Sequence, residues 1–365
     1  MRRALGRPIT VGLVATGIMT LLFIRVLFAT GSDPTVFTAF GNEAISTTEY
    51  AEERLGEVWL RAGQGHDGKY FFVQAHDPLI LHPADNALVL DRPLYRSQRM
   101  LYPLVAGGFG AFASVTIVWS MVIVNLIAMG AGTYATARVA QHMGGSAWWG
   151  LAFTLNIGLI SEINISGAGI VASALAFGAV AAVLNKKHGM AIALLTLSAL
   201  SREVFLVAAF GMALWLWRDG ERRTALGSVL TPVTAVGLWA IYLRVRIDRD
   251  AGASEVQEIG WPFGGFIQAI PDWMSEPLNL AAGLAIMVLF AAYVRRTLIS
   301  SALVGWTFIG FVFLPLLFTK QVWADYFDIT RAVAPAITAF ILMMFLTGRS
   351  GDRGALSVSK SDQLT

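Results

Sequence analysis

Residues 65–103 read GHDGKYFFVQAHDPLILHPADNALVLDRPLYRSQRMLYP, and they form the largest hydrophilic segment of the chain. The segment holds four aspartates, three arginines and three histidines, with five aromatic residues among them. Almost everything else in the sequence is apolar enough to lie in a bilayer. A polar segment of this kind presents carboxylates and cations at a membrane surface, so we predict that a site forms here.

The composition places the chain in a membrane. It has 365 residues, of which 56% are hydrophobic and only 14% are charged, against roughly 25% charged residues in soluble domains. Apolar runs near 20 residues repeat along the sequence, which predicts an all-α polytopic membrane protein. The net charge of +3 gives no indication of a nucleic-acid partner, and the absence of cysteine excludes thiol chemistry.

The first apolar run, residues 9–30, follows a basic start and predicts an uncleaved span with a cytoplasmic N-terminus. Residues 31–100 then form an extracytoplasmic active-site loop, with an amphipathic helix over 47–62 in the interface plane. The next apolar stretch allows one span or two. The positive-inside rule favours one span, 115–137, preceded by a short helix over 101–113 that does not cross, because two spans would place Arg138 outside.

This choice gives about ten spans (nine to eleven) in a single transmembrane domain, 1–347, followed by a disordered cytoplasmic tail, 348–365. The protein is accordingly predicted to be a multi-pass protein of the inner (plasma) membrane, surrounded by membrane lipid. The spans are 9–30, 115–137, 147–160, 167–184, two crossings within 190–217, 224–243, 280–294, 300–318 and 332–346.

Asp67 stands between two glycines in Gly-His-Asp-Gly, just before an aromatic run. The glycines allow a tight turn, so the carboxylate can be presented at the start of a helix. This makes Asp67 a candidate catalytic acid or base. The alternative is an ordinary helix N-cap, a position that aspartate favours.

Three arginines, Arg92, Arg96 and Arg99, lie just before the chain re-enters the membrane. Arg96 and Arg99 are three residues apart and share a helix face. Guanidinium groups bind phosphate oxygens in pairs, so a phosphate on a lipid carrier is the expected ligand at this depth. The alternatives are contacts with lipid headgroups or an internal pair with Asp91.

The predicted topology places further charges on the same side, and charges gathered from several segments indicate a site. Local ion pairs, Arg202 with Glu203 and Asp328 with Arg331, are the alternative. The histidines match no tight metal-ligand spacing, so no metal is predicted. The charges from the later segments are Glu162, Arg202, Glu203, Asp325, Asp328 and Arg331.

These motifs have a recognisable order. Gly-x-Asp-Gly-x-Tyr (65–70) is followed by Asp-Arg-Pro-x-Tyr-Arg-x-x-Arg-x-x-Tyr-Pro (91–103), an Arg-Glu pair, and Arg-x-x-x-Pro (331–335) at the start of the last span. The chain resembles the GT-C superfamily of integral-membrane glycosyltransferases, in particular a bacterial branch linked to cell-surface glycopolymer formation. The resemblance covers most of the chain by layout and is sharp over 65–103.

The resemblance implies a GT-C-like fold, an extracytoplasmic site and an inverting transfer from a polyprenyl-phosphate sugar donor to a glycan or lipid-linked acceptor. It implies no cofactor and no metal. Asp67 is the implied general base, although His66 replaces the second acidic residue of many relatives, which leaves Asp77 or Asp91 as alternatives. The residues expected to bind substrate or phosphate are Tyr70, Asp91, Arg92, Tyr95, Arg96, Arg99, Arg202, Glu203 and Arg331.

Two other classes of protein share these features. A transporter or flippase for a lipid-linked sugar uses broken helices and charges at the membrane midplane. Polar residues within the predicted spans are few, Asn125 and Asn156 among them, and the charges lie in outer loops, which favours an enzyme. A non-catalytic assembly subunit for lipid-linked glycans would have the same sequence features, so it remains an alternative.

Overall fold

The computed structural model describes residues 6–247 and 259–346, and over these ranges the fold is all-helical. Within the described ranges, β pairing is limited to two isolated bridges, Gly41 with Arg61 and Ile259 with Phe318. The all-α prediction is therefore confirmed for this part of the chain. The predicted tail 348–365 lies outside the described residues.

The described chain forms a series of α-helices, joined in places by short 3-10 turns. In chain order they are α1 Pro8–Ala29, α2 Ile45–Leu55, α3 Gly68–His76, α4 Pro83–Val89, α5 Pro93–Arg96, α6 Leu101–Ala106, α7 Ser114–His142, α8 Leu151–Thr154, α9 Ile157–Ile163, α10 Gly169–Leu184, α11 His188–Ser201, α12 Leu206–Arg218, α13 Arg222–Arg246, α14 Gly264–Trp273, α15 Pro277–Ser300, α16 Leu303–Phe308, α17 Gly310–Phe313, α18 Lys320–Trp323 and α19 Tyr326–Leu346.

In the part of the chain that the structure describes, five helices, α1, α7, α13, α15 and α19, are long and apolar enough to cross a membrane. Shorter apolar helices, α10 and α11 among them, pack with these long ones. α1 packs along α7, and α10 packs along both α7 and α11. This is the helix content of a polytopic membrane protein.

Two predicted breaks agree with the structure. Residues 101–113 contain the six-residue helix α6, far shorter than the roughly 20 residues a span needs, and α7 follows as one 29-residue helix. Residues 190–217 divide at the predicted apex, because α11 ends at Ser201 and α12 begins at Leu206.

Two predicted spans, 147–160 and 300–318, are not single regular α-helices. In the first, Asn156 separates α8 from α9: its side chain accepts from the Gly158 N–H at 3.1 Å and donates to the Ala334 carbonyl at 2.7 Å. A polar side chain that bonds to the backbone competes with the helix in this way. The second is one apolar helical stretch, Leu303–Leu317, made of α16, α17 and a 3-10 turn that contains Pro315.

Two predicted boundaries also need correction. The amphipathic helix ends at Leu55 instead of 62, because Gly56 turns the chain with φ of +80°, and Val58 then packs inward. The last span is predicted to begin at residue 332, but α19 already begins at Tyr326. Asp325 accepts from the Phe327 N–H at 2.8 Å and satisfies a free donor of the first turn.

The loop after α1 is anchored on α7 by aromatic residues. Phe71 and Phe72 of α3 are buried together with Tyr102, whose hydroxyl donates to the Met121 carbonyl at 3.0 Å. The α3 N-terminus is set by Gly68, where a Cβ atom would lie against Ile165 and 2.5 Å from the Thr38 carbonyl oxygen. Aromatic burial and this close backbone approach together fix the position of Asp67.

Replacing Gly68 by alanine is expected to lower the thermal unfolding midpoint, because overpacking of this kind costs roughly 1–3 kcal/mol. Gly17 of α1 is the matched control, since a Cβ atom there meets no atom within 4 Å. Gly17→Ala is expected to melt at or above the wild-type temperature. Equal midpoints for the two purified variants would show that the close approach at Gly68 does not constrain α3.

Candidate functional site

Asp67 occupies the N-cap position of α3, but its side chain makes no capping hydrogen bond. The N-cap interpretation of this aspartate is therefore wrong. Its carboxylate, 24% exposed, instead turns towards arginines from two distant segments.

Three guanidinium groups surround the Asp67 carboxylate. Arg96 donates from Nη1 to Oδ1 at 3.0 Å, and Arg99 donates from Nη1 to Oδ2 at 3.3 Å. Arg331, from the first turns of α19, donates from Nη2 to Oδ2 at 3.3 Å. Asp67 thus joins the polar loop to a helix more than 260 residues further along the chain.

The arginines determine the protonation of Asp67. Burial on its own would raise the pKa of this carboxyl, but the charges of Arg99, Arg331 and Arg96 outweigh burial and hold the pKa far below its usual range. Asp67 is consequently a carboxylate at any physiological pH. In this arrangement it is a weak base, because its proton affinity is low.

A second carboxylate, Glu162 at the end of α9, lies behind the first and is only 2% exposed. Its Oε1 accepts from Arg331 Nε at 3.0 Å and from Arg202 Nη1 at 3.3 Å, and its Oε2 accepts from the Gly169 N–H at 3.0 Å. Glu162 therefore holds the two arginines in place. The sequence placed Glu162 in an outer turn and counted it among the charges that indicate a site, but not among the residues expected to bind substrate.

Neither predicted local ion pair accounts for the charges from later segments. Arg202 pairs with Glu162, whereas Glu203 faces Arg99 Nε at 3.6 Å. The pair of Asp328 with Arg331 does form, at 3.0 Å, but Arg331 also contacts Asp67 and Glu162. Each arginine thus connects segments that are distant in sequence.

Asp91 is the carboxylate that orients Arg96. It accepts from Arg96 Nε and Nη2, both at 2.9 Å, which is the paired geometry that arginine and carboxylate prefer. The Arg96 guanidinium also lies 3.9 Å above the Tyr70 ring. Burial raises the pKa of Asp91, but the hydrogen bonds and the charge of Arg96 outweigh burial and leave it lowered.

Asp77, the other alternative base, has a structural role. Its two carboxylate oxygens accept from the Leu81 and His82 N–H groups at 2.8 and 2.7 Å, so it closes the turn before α4. Asp77 does not line the cavity that Asp67 and the arginines face.

The charged residues face a cavity of about 410 Å³, here called the polar cavity. All but one of the sequence-predicted site residues line it. The exception is Arg92, whose guanidinium lies 4.4 Å from the Tyr95 ring and 3.9 Å from Asp91. The predicted residues in the lining are Asp67, Tyr70, Asp91, Tyr95, Arg96, Arg99, Arg202, Glu203 and Arg331.

His66 and Lys69 also line the polar cavity, although they were not among the predicted site residues. The His66 ring lies beside the Phe327 ring, with centroids 5.4 Å apart and the ring planes tilted by 39°, and burial lowers the pKa of His66. Lys69 is 2% exposed, and its ammonium donates to the Gln64 carbonyl. Both residues lie within two positions of Asp67 in the sequence, and this proximity could have indicated that they belong to the site. Among the described residues, no group of three His, Asp or Glu side chains is arranged to hold a metal ion.

Lys69 supports a pH prediction. Burial lowers its pKa from 10.5 to about 8, so between these values the unfolded chain holds a proton that the folded chain lacks. Stability must then rise with pH across that window and lose this gain as pH falls through 8. The melting temperature of wild type relative to Lys69→Met is expected to increase from pH 8 to pH 10. A constant difference would show that burial does not lower the pKa of Lys69.

Comparisons with protein-family models, curated proteins and solved structures give no match to this chain. The chemistry of the site must follow from its own contacts. The wall of the polar cavity contains five cationic side chains and four carboxylates. A fifth carboxylate, that of Glu162, lies behind this wall.

Proposed function

We propose that the chain is a membrane glycosyltransferase that moves a sugar from a polyprenyl-phosphate donor to a glycan or lipid-linked acceptor of the cell envelope. The observation that supports this most strongly is the contact of Arg96, Arg99 and Arg331 with one carboxylate, Asp67, in the polar cavity. A lipid phosphate requires cations beside apolar helices, and a sugar hydroxyl requires a carboxylate to accept its proton. The cavity supplies both.

The proposal includes about ten spans in the inner membrane, a GT-C-like arrangement, a cytoplasmic N-terminus and an extracytoplasmic cavity. This orientation is supported by basic residues at the helix ends that are far from the polar cavity. α7 begins at Ser114, which bonds to His76 of the polar loop, and Arg138 lies in its last turns. α10 begins at Gly169, beside Glu162, and Lys187 follows its far end. Basic residues concentrate on the cytoplasmic side of membrane proteins.

Each arginine in the cavity wall already contacts a carboxylate, so an incoming phosphate must exchange with one. Asp67 is the best candidate, since three arginines contact it and its carboxylate is 24% exposed, whereas Glu162 is 2% exposed. Phosphate oxygens accept paired hydrogen bonds from guanidinium groups. The donor phosphate is therefore proposed to take over N–H groups of Arg96, Arg99 and Arg331 that now point at Asp67.

This exchange prepares Asp67 for catalysis. With its arginine contacts reduced, the pKa of Asp67 rises and the carboxylate becomes a stronger base. It takes the proton of the acceptor hydroxyl while that oxygen bonds to the anomeric carbon. The bond from this carbon to the phosphate oxygen breaks, and its electron pair leaves with polyprenyl phosphate, whose charge the arginines stabilise. A single displacement inverts the anomeric centre.

The test is transfer of radiolabel from a panel of polyprenyl-phosphate sugars to endogenous acceptors, in membranes with and without the protein. Protein-dependent label in a glycan or lipid-linked product is the expected result. Binding of a donor without any transfer would contradict the proposal and favour an assembly subunit. Movement of intact labelled donor across sealed vesicles would favour a flippase.

A further inference from the structure

A second cavity lies between α7, α10 and α11. Its volume is about 550 Å³, and its lining shares no residue with that of the polar cavity. Small and aliphatic side chains form most of its wall, with Ala131, Ala174 and Gly178 leaving the space open. We call it the apolar groove.

The charged side chains that line the apolar groove, Arg138 and Lys187, lie at only one of its two ends. The three helices that form it have their other ends beside the polar cavity: α7 begins at Ser114, α10 at Gly169, and α11 ends before Arg202. Arg138 lies 24 residues beyond Ser114, which is about 36 Å along a helix at 1.5 Å per residue. Arg138 and Lys187 therefore mark the end of the groove that is far from the polar cavity.

The two cations at this end have no carboxylate partner among the described residues. Arg138 donates from Nη2 to the neutral side-chain oxygen of Asn185 at 2.9 Å. Lys187 is exposed and also lines the groove. Two positive charges at the mouth of an apolar groove are complementary to an anionic group that carries a hydrocarbon chain.

We propose that the apolar groove is a binding site for one anionic phospholipid. Its phosphate contacts Arg138 and Lys187, and an acyl chain runs along α7 and α10 towards Ala174. Most of the groove is lined by apolar side chains, which contact a hydrocarbon chain but not a free phosphate. The pair of cations favours an anionic headgroup over a zwitterionic one. The headgroup end of the site lies at the opposite end of the helices from the polar cavity, and the proposal is independent of the function of that cavity.

The test is native mass spectrometry of purified protein exposed to mixed phosphatidylglycerol and phosphatidylcholine vesicles. Wild type is expected to retain one phosphatidylglycerol in preference to phosphatidylcholine. Arg138→Gln combined with Lys187→Gln should reduce this preference by about tenfold or more, since each cation near a headgroup adds to anionic binding. The matched control is Lys186→Gln, which removes a neighbouring lysine that is outside the groove lining and should retain the lipid.

A second variant tests whether the acyl chain of the lipid occupies the groove. Ala131 is exposed and lines the groove, so Ala131→Phe fills it without entering the core. It should lower lipid retention while the melting temperature in detergent stays near wild type. Equal retention of the two lipids, or retention unchanged in the Arg138 and Lys187 variant or in Ala131→Phe, would overturn the proposal. Displacement of phosphatidylglycerol by equimolar polyprenyl phosphate would also overturn it, because the occupant would then be the carrier lipid.

Discussion

Asp67→Asn is expected to lower the rate of sugar transfer by roughly 10²–10⁴-fold, the usual contribution of a general base. Donor binding should persist or tighten, because a neutral amide competes less with a phosphate for Arg96, Arg99 and Arg331. The measurements are initial rates of label transfer and the dissociation constant of polyprenyl phosphate with purified protein.

The matched control for this variant is Asp85→Asn, which makes the same chemical change at an exposed aspartate of the same loop. It should transfer sugar at the wild-type rate. If Asp67→Asn also transferred at that rate, Asp67 would not be the base. If it lost donor binding as well as transfer, its role would be to hold the arginines rather than to accept a proton.

Arg331→Gln is expected to cause the largest loss of stability. It removes contacts to Asp67, Glu162 and Asp328 at once, and Glu162 is almost fully buried. Removing one partner of a buried ion pair costs roughly 3–5 kcal/mol when the remaining charge has no other partner. This is an upper bound here, because Arg202 still contacts Glu162. The melting temperature of the purified variant should fall clearly below that of wild type.

A control variant and a double variant show whether this loss comes from the buried ion pairs. Arg54→Gln removes an arginine whose partner Glu53 is largely exposed, and such surface pairs contribute about 0–1 kcal/mol. Adding Glu162→Gln to Arg331→Gln should restore part of the stability, since the buried charge is then gone. A strictly additive double variant would mean that Arg331 and Glu162 are not energetically coupled.

The sequence was sufficient for the local parts of the site. Asp67, Arg96 and Arg99 belong to one polar segment, so their proximity follows from short connections within a loop. The break at Arg202 was also predictable, because 190–217 is too long for one crossing and has basic residues on both sides. Hydrophobic runs and basic residues determine such features without knowledge of the packing.

The sequence placed Arg202 and Arg331 in the site, but it could not predict which residues of distant segments they contact. Arg331 reaches Asp67 and Glu162 only because α19 packs against α9, and helix packing depends on side-chain shape rather than on period or charge. Asn156 has the same explanation: it divides a predicted span because its amide reaches Ala334 of α19. Lys69 was missed because its burial depends on how the loop folds over its own neighbours.

The most direct test of the central claim is a cryo-EM structure with polyprenyl phosphate bound. The account predicts phosphate oxygens within hydrogen-bond distance of at least two of Arg96, Arg99 and Arg331, with Asp67 released from those arginines and facing open space in the polar cavity. A phosphate bound outside that cavity, with all three arginines still on Asp67, would contradict both the donor site and the exchange that makes Asp67 a base.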